Sequence, residues 1–248
     1  RQGVYWSDGV EFTADDVVFT VDTIKATEGL NYHVQLQEVK RAYAADKHTV
    51  VVELTQPNSR WHTYFLDRWG CLWIMPKHVF ETVDDILAFE YNPPLSLGPY
   101  VLHSYDPGGF WTAWQRREDW QRTPTGMLYG EPAPKYVVFQ NYTDVASKVM
   151  AQSRHELDTT ASWMTIESLK AVMMVNPHSI GYQAGFPWVE NLHPCVTGLT
   201  FNTLKPPFDS KEVRWALTLA IDIVSLIATA YDGAATMNAT HIPMVALY

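Results

Sequence analysis

Two stretches near opposite ends of the chain specify helix starts in the same way, and they constrain the fold more than any other feature. The first is Phe12-Thr13-Ala14-Asp15-Asp16-Val17 and the second is Phe208-Asp209-Ser210-Lys211-Glu212-Val213. In each, a residue able to cap (Thr13, Asp209) is followed three positions later by an acid (Asp16, Glu212). That is the spacing of a capping box. An aromatic residue before each cap and a valine beyond it (Phe12 with Val17, Phe208 with Val213) form a hydrophobic staple. Asp15 and Asp16 also suit the positive end of a helix dipole. After the first start, Ala14, Val17, Val18, Val21 and Ile24 share one face, which predicts a helix docked on a core. Ser7-Asp8-Gly9 before it reads as a turn, with Gly9 supplying a positive φ.

The 248 residues are enough for two lobes or one large domain. Hydrophobic residues make up 47% and charged residues 18%, which fits a globular protein with a sizeable core. The net charge of −9 has no Lys/Arg cluster set against it, so nucleic acid and anionic membrane surfaces are excluded as partners. The longest apolar stretch, Ala216 to Tyr231, is interrupted by Asp222 and reads as a buried amphipathic helix rather than a membrane span. Cys71 and Cys195 lie far apart and neither belongs to a C-x-x-C pair. A disulfide and two buried free thiols are both open, as is pairing of Cys195 with a cysteine outside this stretch.

Along the chain, Val39–Ala44 and Thr49–Leu54 predict a β-hairpin turning at Asp46-Lys47-His48. Asn58 is a candidate cap for a helix running to Asp67. Trp69 to Met75 reads as buried, and Pro76 begins a short helix. Asn92-Pro93-Pro94 marks a break. Strands are predicted at Tyr100–Tyr105, Phe110–Arg117 and Tyr136–Phe139, the last of them buried. Helices follow at Asp144–Ser153 and Ile166–Met174, then strands at His178–Gln183 and Thr197–Asn202.

No motif for catalysis is present: G-x-S-x-G, a Walker loop, G-x-G-x-x-G and H-E-x-x-H are all missing. The nine histidines do not fall at metal-ligand spacings, and Asp15-Asp16 and Asp84-Asp85 are explained by helix capping. Two distant carboxylates could still serve a glycosidase, so an extracellular carbohydrate-active enzyme stands as the alternative class. The positive signal is aromatic, with ten tryptophans and thirteen tyrosines. Tryptophan can stack on sugar rings or peptide side chains while its N–H finds a polar partner, although core packing uses the same residue.

Trp6-Ser7-Asp8-Gly9 with Phe12-Thr13-Ala14-Asp15-Asp16-Val17 resembles a motif of the extracytoplasmic solute-binding proteins of ABC importers, family 5. Three further matches follow in order. They are Pro76-Lys77-His78, Gly98-Pro99-Tyr100, and the run Phe201-Asn202-Thr203, Pro206-Pro207-Phe208-Asp209, Glu212-Val213-Arg214 and Ala220-Ile221-Asp222. There are departures: Leu95-Ser96-Leu97 precedes Gly98, so the first glycine of the family's Gly-Thr-Gly-Pro-Tyr is lost, His155 replaces the glycine of a G-E-x-D helix end, and Ile223 replaces a common arginine.

The resemblance implies an α/β fold of the periplasmic-binding-protein type (type II), with mixed sheets flanked by helices and an incomplete second lobe. It also implies an internal stretch of the mature protein, so no targeting segment is expected. Residues 1–94 would form a small accessory lobe, 95–200 part of the first main lobe, and 201–248 the start of the second. The implied function is capture of an oligopeptide or dipeptide outside the cytoplasm and delivery to a membrane permease, with oligosaccharide as the alternative ligand. The expected receptor is a monomer without a cofactor or metal. Ligand-binding residues expected on this layout are Tyr32, Trp69, Trp163, Trp188, Thr197 and Gly198.

Overall fold

The computed structural model describes residues 1–66, 72–160, 164–179 and 198–231, together with Gly233 and Ala235. The described elements make an α/β fold, and both sheets among them are antiparallel. The chain divides into two compact units, Arg1–Asn141 and Tyr142–Tyr248.

The first unit opens on a narrow loop in which Tyr5 pairs with Glu11 across the turn at Gly9, whose φ is +90°. Trp6, 3% exposed, packs edge-on against Phe12. Helix α1 (Ala14–Ala26) begins where the sequence places it, with the Thr13 N–H donating to Asp16 Oδ2 at 2.9 Å. Its buried face differs from the expected one. Ala14, Val21 and Ile24 are buried, but Asp16 and Thr20 occupy the turn between them, while Val17 and Val18 are only half-buried.

The reason is a second set of bonds that a helical wheel does not show. Asp16 Oδ1 accepts the Lys77 N–H at 2.9 Å. The Thr20 hydroxyl donates to the Asp16 carbonyl at 2.7 Å and accepts the Met75 N–H at 2.8 Å. His78 Nε2 lies 2.8 Å from Asp8 Oδ2. The Pro76-Lys77-His78 stretch is thus fastened to the N-terminal turn and to the start of α1, and α3 (Lys77–Phe80) follows from it.

Strands β1 (Val39–Asp46) and β2 (Thr49–Leu54) form the expected hairpin, with the His48 N–H bonded to Asp46 Oδ1 at its turn. They pack with α1 and α2 (His33–Leu36) around Val21, Ile24, Leu36, Val39, Trp61 and Leu72. Two expectations nearby are corrected. Asn58 does not cap an α-helix; its Oδ1 accepts the Arg60 N–H in a turn that leads into a 3-10 segment, Trp61–Phe65. The stretch up to Met75 is not uniformly buried, because Leu72 faces the core while Trp73 is 76% exposed.

Strands β3 (Tyr100–Tyr105), β4 (Trp111–Arg116) and β5 (Tyr136–Gln140) form a second sheet in that order, with a bulge between Leu102 and Ser104. The expectation that Tyr136–Phe139 is buried fails: β5 is an edge strand, and Val138 and Phe139 are 59% and 57% exposed. A helix that sequence reading missed, α4 (Pro124–Tyr129), lies between β4 and β5. Thr123 caps it by accepting the Gly126 N–H, and Pro124 occupies its first turn. Only glycine fits at 126, since a Cβ there would sit 2.0 Å from the Trp120 carbonyl oxygen.

Arg117, 5% exposed, follows β4. Its guanidinium donates to the carbonyls of Tyr5 (3.2 Å), Trp6 (3.1 Å), Ser96 (2.9 Å) and Gly98 (3.5 Å). It also pairs with both Asp119 oxygens at 2.8 Å, and this holds the Asp119 carboxyl below its usual range.

In the second unit, Asp144 caps α5 (Val145–Ser153) by accepting the Ser147 N–H at 2.7 Å, and α5 packs on α6 (Ile166–Val175). The helix ends in a left-handed turn despite the missing glycine. His155 takes φ +61°, the Glu156 N–H reaches the Ala151 carbonyl at 2.9 Å, and the His155 N–H reaches that of Gln152 at 3.3 Å. This is a Schellman motif with histidine at the left-handed position. The His155 ring lies 3.2 Å from the side-chain nitrogen of Asn176, which is 4% exposed.

Three expectations fail in the rest of the second unit. Helix α7 (Lys211–Ala220) is capped by Ser210, not Asp209: the hydroxyl accepts the Val213 N–H at 3.2 Å and donates to Glu212. The apolar run through Tyr231 is not one helix. Asp222 accepts the Ser225 N–H and starts α8 (Ile223–Ala230), bent 51° from α7, and neither helix has a buried residue. Gly198–Asn202 has no regular secondary structure and His178 lies in a turn after α6, while residues 180–183 and Thr197 of the two expected strands lie outside the described residues. No single described helix is long and apolar enough to cross a membrane, although the bent pair α7 and α8 together would be by length and composition.

Three outcomes follow from these contacts. Asp16→Asn keeps the size but offers one acceptor oxygen where two backbone donors converge, so urea unfolding should show a loss of about 2 kcal/mol. His155→Gly removes left-handed strain as well as the Asn176 contact and should stay within about 1 kcal/mol of the parent. His155→Val, β-branched at positive φ, should cost about 1–2 kcal/mol in the same assay. Because the folded-state value of Asp119 is depressed, its stabilising contribution is complete above the ordinary aspartate value of 3.8 and is lost as pH falls through the depressed one. Asp119→Asn should therefore flatten the acid side of the melting temperature against pH.

Candidate functional site

Of the six residues expected to touch ligand, the described structure contains two. Trp69, Trp163, Trp188 and Thr197 lie outside the described residues. Tyr32 and Gly198 belong to different compact units.

Tyr32 sits at the N-cap of α2 with φ +69°, an uncommon conformation for a bulky residue. It follows Gly29, itself at φ +100°, so the loop reverses direction sharply before α2. The Tyr32 ring lies 5.7 Å from that of Tyr64, and Trp61 is edge-on to both Tyr64 (6.5 Å) and Phe65 (5.4 Å). Tyr32 is half-buried against the core formed by α1, α2 and the hairpin. Core packing explains much of its position, and its left-handed backbone is a constraint the packing over-determines.

Gly198 is exposed, and a Cβ added to it would meet nothing within 4 Å. No steric demand among the described residues calls for glycine there.

Two shallow grooves exist among the described residues. One, about 480 Å³, runs along the outer side of α1 and is lined by Asp15, Val18, Phe19, Asp22 and Lys77. The other, about 450 Å³, lies beside β3 next to Asn92, Pro93, His103 and Tyr105. Neither contains Tyr32 or Gly198. No group of three or more His, Cys, Asp or Glu side chains placed to hold a metal occurs among the described residues.

The motif residues do come together, but with one another. Asp8, Asp16 and Thr20 bind the stretch from Met75 to His78. In the downstream motif, the rings of Phe201 and Phe208 stack 4.8 Å apart, and Arg214 donates to the carbonyls of Phe208 (2.6 Å) and Asp209 (3.1 Å). The recognisable stretches are scaffold joints. The described binding candidates lie outside them, which is why motif spacing alone could not rank them.

The sequence pattern of the bacterial extracellular solute-binding proteins, family 5, matches residues 1–248. A probable ABC transporter periplasmic-binding protein, SapA of Escherichia coli, is 27% identical over 94% of this chain and 42% of its own length. Among solved structures, the periplasmic oligopeptide-binding protein of an oligopeptide ABC transporter from Thermotoga maritima, with mannohexaose bound, superposes with a TM-score of 0.75. It is 24% identical and is covered over 42% of its length by 95% of this chain. The oligopeptide-binding protein AppA of Bacillus subtilis, in complex with a nonapeptide, gives 0.66 at 21% identity, covering 93% of this chain and 43% of that one. The chain spans 34–42% of the length of the curated relatives it matches. With its full length matched by one family pattern and its fold similar to that of solved periplasmic binding proteins, this chain belongs to the bacterial extracellular solute-binding proteins, family 5.

Proposed function

We propose that this chain is part of a receptor that captures an oligopeptide or dipeptide outside the cytoplasm and delivers it to an ABC permease. The observation that carries the reading is the family match across residues 1–248. Its relatives are binding proteins, and one structural neighbour holds a nonapeptide. In such a receptor two lobes close on the ligand, and ligand shifts the balance only through contacts that are tighter in the closed form. The proposed layout keeps residues 1–94 as an accessory lobe, 95–200 in the first main lobe and 201–248 at the start of the second. Tyr32, Trp69, Trp163, Trp188, Thr197 and Gly198 are the proposed ligand contacts, with the tryptophans as stacking platforms. The receptor is proposed to act as a monomer, without a cofactor, at the outer face of the membrane beside its permease.

Oligosaccharide is the second reading. Ten tryptophans in a chain of low charge favour it, as does the mannohexaose found in one structural neighbour. Peptide stays first because an extended backbone can be held by strand-like hydrogen bonds whatever its side chains, so one site serves many sequences.

Thermal unfolding of the full-length protein against panels of short peptides and oligosaccharides tests the choice. A ligand at a hundred times its dissociation constant should add about 2.7 kcal/mol. Stabilisation by peptides, weakened by Trp163→Ala with the unliganded midpoint unchanged, is the expected result. Stabilisation by sugars alone overturns the peptide reading, and chemical turnover of either panel overturns the receptor reading in favour of a carbohydrate-active or peptide-cleaving enzyme.

A further inference from the structure

The first unit contains two bodies of regular structure with little direct packing between them. One is α1, α2 and the β1–β2 hairpin around the core of Val21, Ile24, Leu36 and Val39. The other is the β3–β4–β5 sheet with α4. Among the described residues, no helix or strand of the first body packs broadly on a strand of the second.

What joins them is irregular chain: the N-terminal segment that runs into α1, and the loop that runs from Asn92 into β3. Both arrive at Arg117. From the first segment it gathers the Tyr5 and Trp6 carbonyls, and from the second those of Ser96 and Gly98. Lesser bonds surround it. Ser7 Oγ accepts the Ser96 N–H at 3.0 Å, the Tyr5 N–H reaches the Arg122 carbonyl at 3.0 Å, and the Arg122 guanidinium lies 3.8 Å from the centre of the Tyr5 ring. None of these reaches more than one carbonyl, and none has a guanidinium's planar fan of donors.

We propose that Arg117 is the pin of this joint: by collecting four carbonyls from two segments it makes the helix–hairpin body and the sheet body move as one. A joint of small, polar contact area is by default a mobile one. Here the mobility is removed by a single buried cation, kept neutral overall by Asp119. Arg117 is thus a positioning residue. In the receptor reading above, it keeps residues of the helix–hairpin body, Tyr32 among them, in step with the sheet. The joint is a property of the ligand-free protein, so the test below stands apart from that reading.

The test is a pulsed-EPR distance measurement on the full-length, ligand-free protein. Spin-labelled non-canonical residues replace exposed Asp22 on α1 and exposed Gln140 on β5, leaving Cys71 and Cys195 untouched. The parent should give one narrow distribution. Arg117→Met should broaden it about twofold, and Arg117→Lys, with a point charge that reaches fewer carbonyls, should fall between. Amide exchange at Val21 and Ile24 in α1 and at Ala113 in β4 should stay at parent rates, because both cores remain intact. A parent-like width in Arg117→Met overturns the proposal, as does broadening accompanied by loss of protection in either core. Should Arg117→Met fail to fold, Arg117→Lys decides: broadening with both cores protected supports the joint, and the parent's width overturns it.

Discussion

A carboxylate set between two backbone N–H groups governs how the first unit is assembled. Asp16 is 4% exposed, and each of its oxygens accepts one main-chain hydrogen, from Thr13 and from Lys77. A buried carboxylate is costly unless its lone pairs are met, and meeting them here fixes two pieces of chain at once. One is the start of α1, whose first N–H groups have no intrahelical partner. The other is the extended stretch before α3, which has no sheet to receive its N–H groups; Thr20, one turn along α1, takes the next of them from Met75. With Asp8 beside His78, polar contacts tie three chain segments together at the edge of an apolar core.

This gives the most recognisable residues a structural duty. A motif such as W-S-D-G-x-x-F-T-A-D-D-V combines a turn glycine, a cap, a staple and one acid with two duties. Its physical meaning is a joint that few other residue combinations could make. Ligand-facing residues answer to a different requirement, the shape and polarity of a solute, and that leaves no spacing rule in the chain. Tyr32 illustrates the contrast. Its ring packs near Tyr64 and its backbone is left-handed, features set by the local core, and the loop sequence Gly29-Leu30-Asn31-Tyr32 announces a turn without announcing what the ring is for.

Where the sequence was a good guide, the determinant was local. Thr13 with Asp16, Asp144 with Ser147, and the β-branched arm Thr49–Leu54 all act within a few residues, and each produced the element it specifies. The start of α7 shows how narrow the margin is. Asp209 and Ser210 are both competent caps, and here the Ser210 hydroxyl accepts the Val213 N–H while Asp209 Oδ1 accepts the N–H of Ser210 itself. Thr123-Pro124 before α4 was an equally local signal that went unread. The exposed β5 strand failed for a non-local reason: Tyr136-Val137-Val138-Phe139 has the composition of an interior strand, but strand order puts it at an edge. Composition specifies that a strand forms, whereas its neighbours decide what covers it.

Arg117 is the extreme case of non-local control, and it completes the physical picture. Its carbonyl partners lie as far as 112 residues away in sequence, and nothing around Gln115-Arg116-Arg117-Glu118 distinguishes it from the arginine before it. Yet Arg116, the last residue of β4, turns to Glu131 and the Pro132 carbonyl, while Arg117, just beyond the strand, is the buried one. Once buried, it must find acceptors, and the carbonyls it reaches belong to two irregular segments. The same step therefore satisfies a charge and joins two bodies whose apolar cores do not touch broadly. Apolar packing makes each body stable; buried polar groups, Asp16 within one and Arg117 between them, determine how the pieces are held.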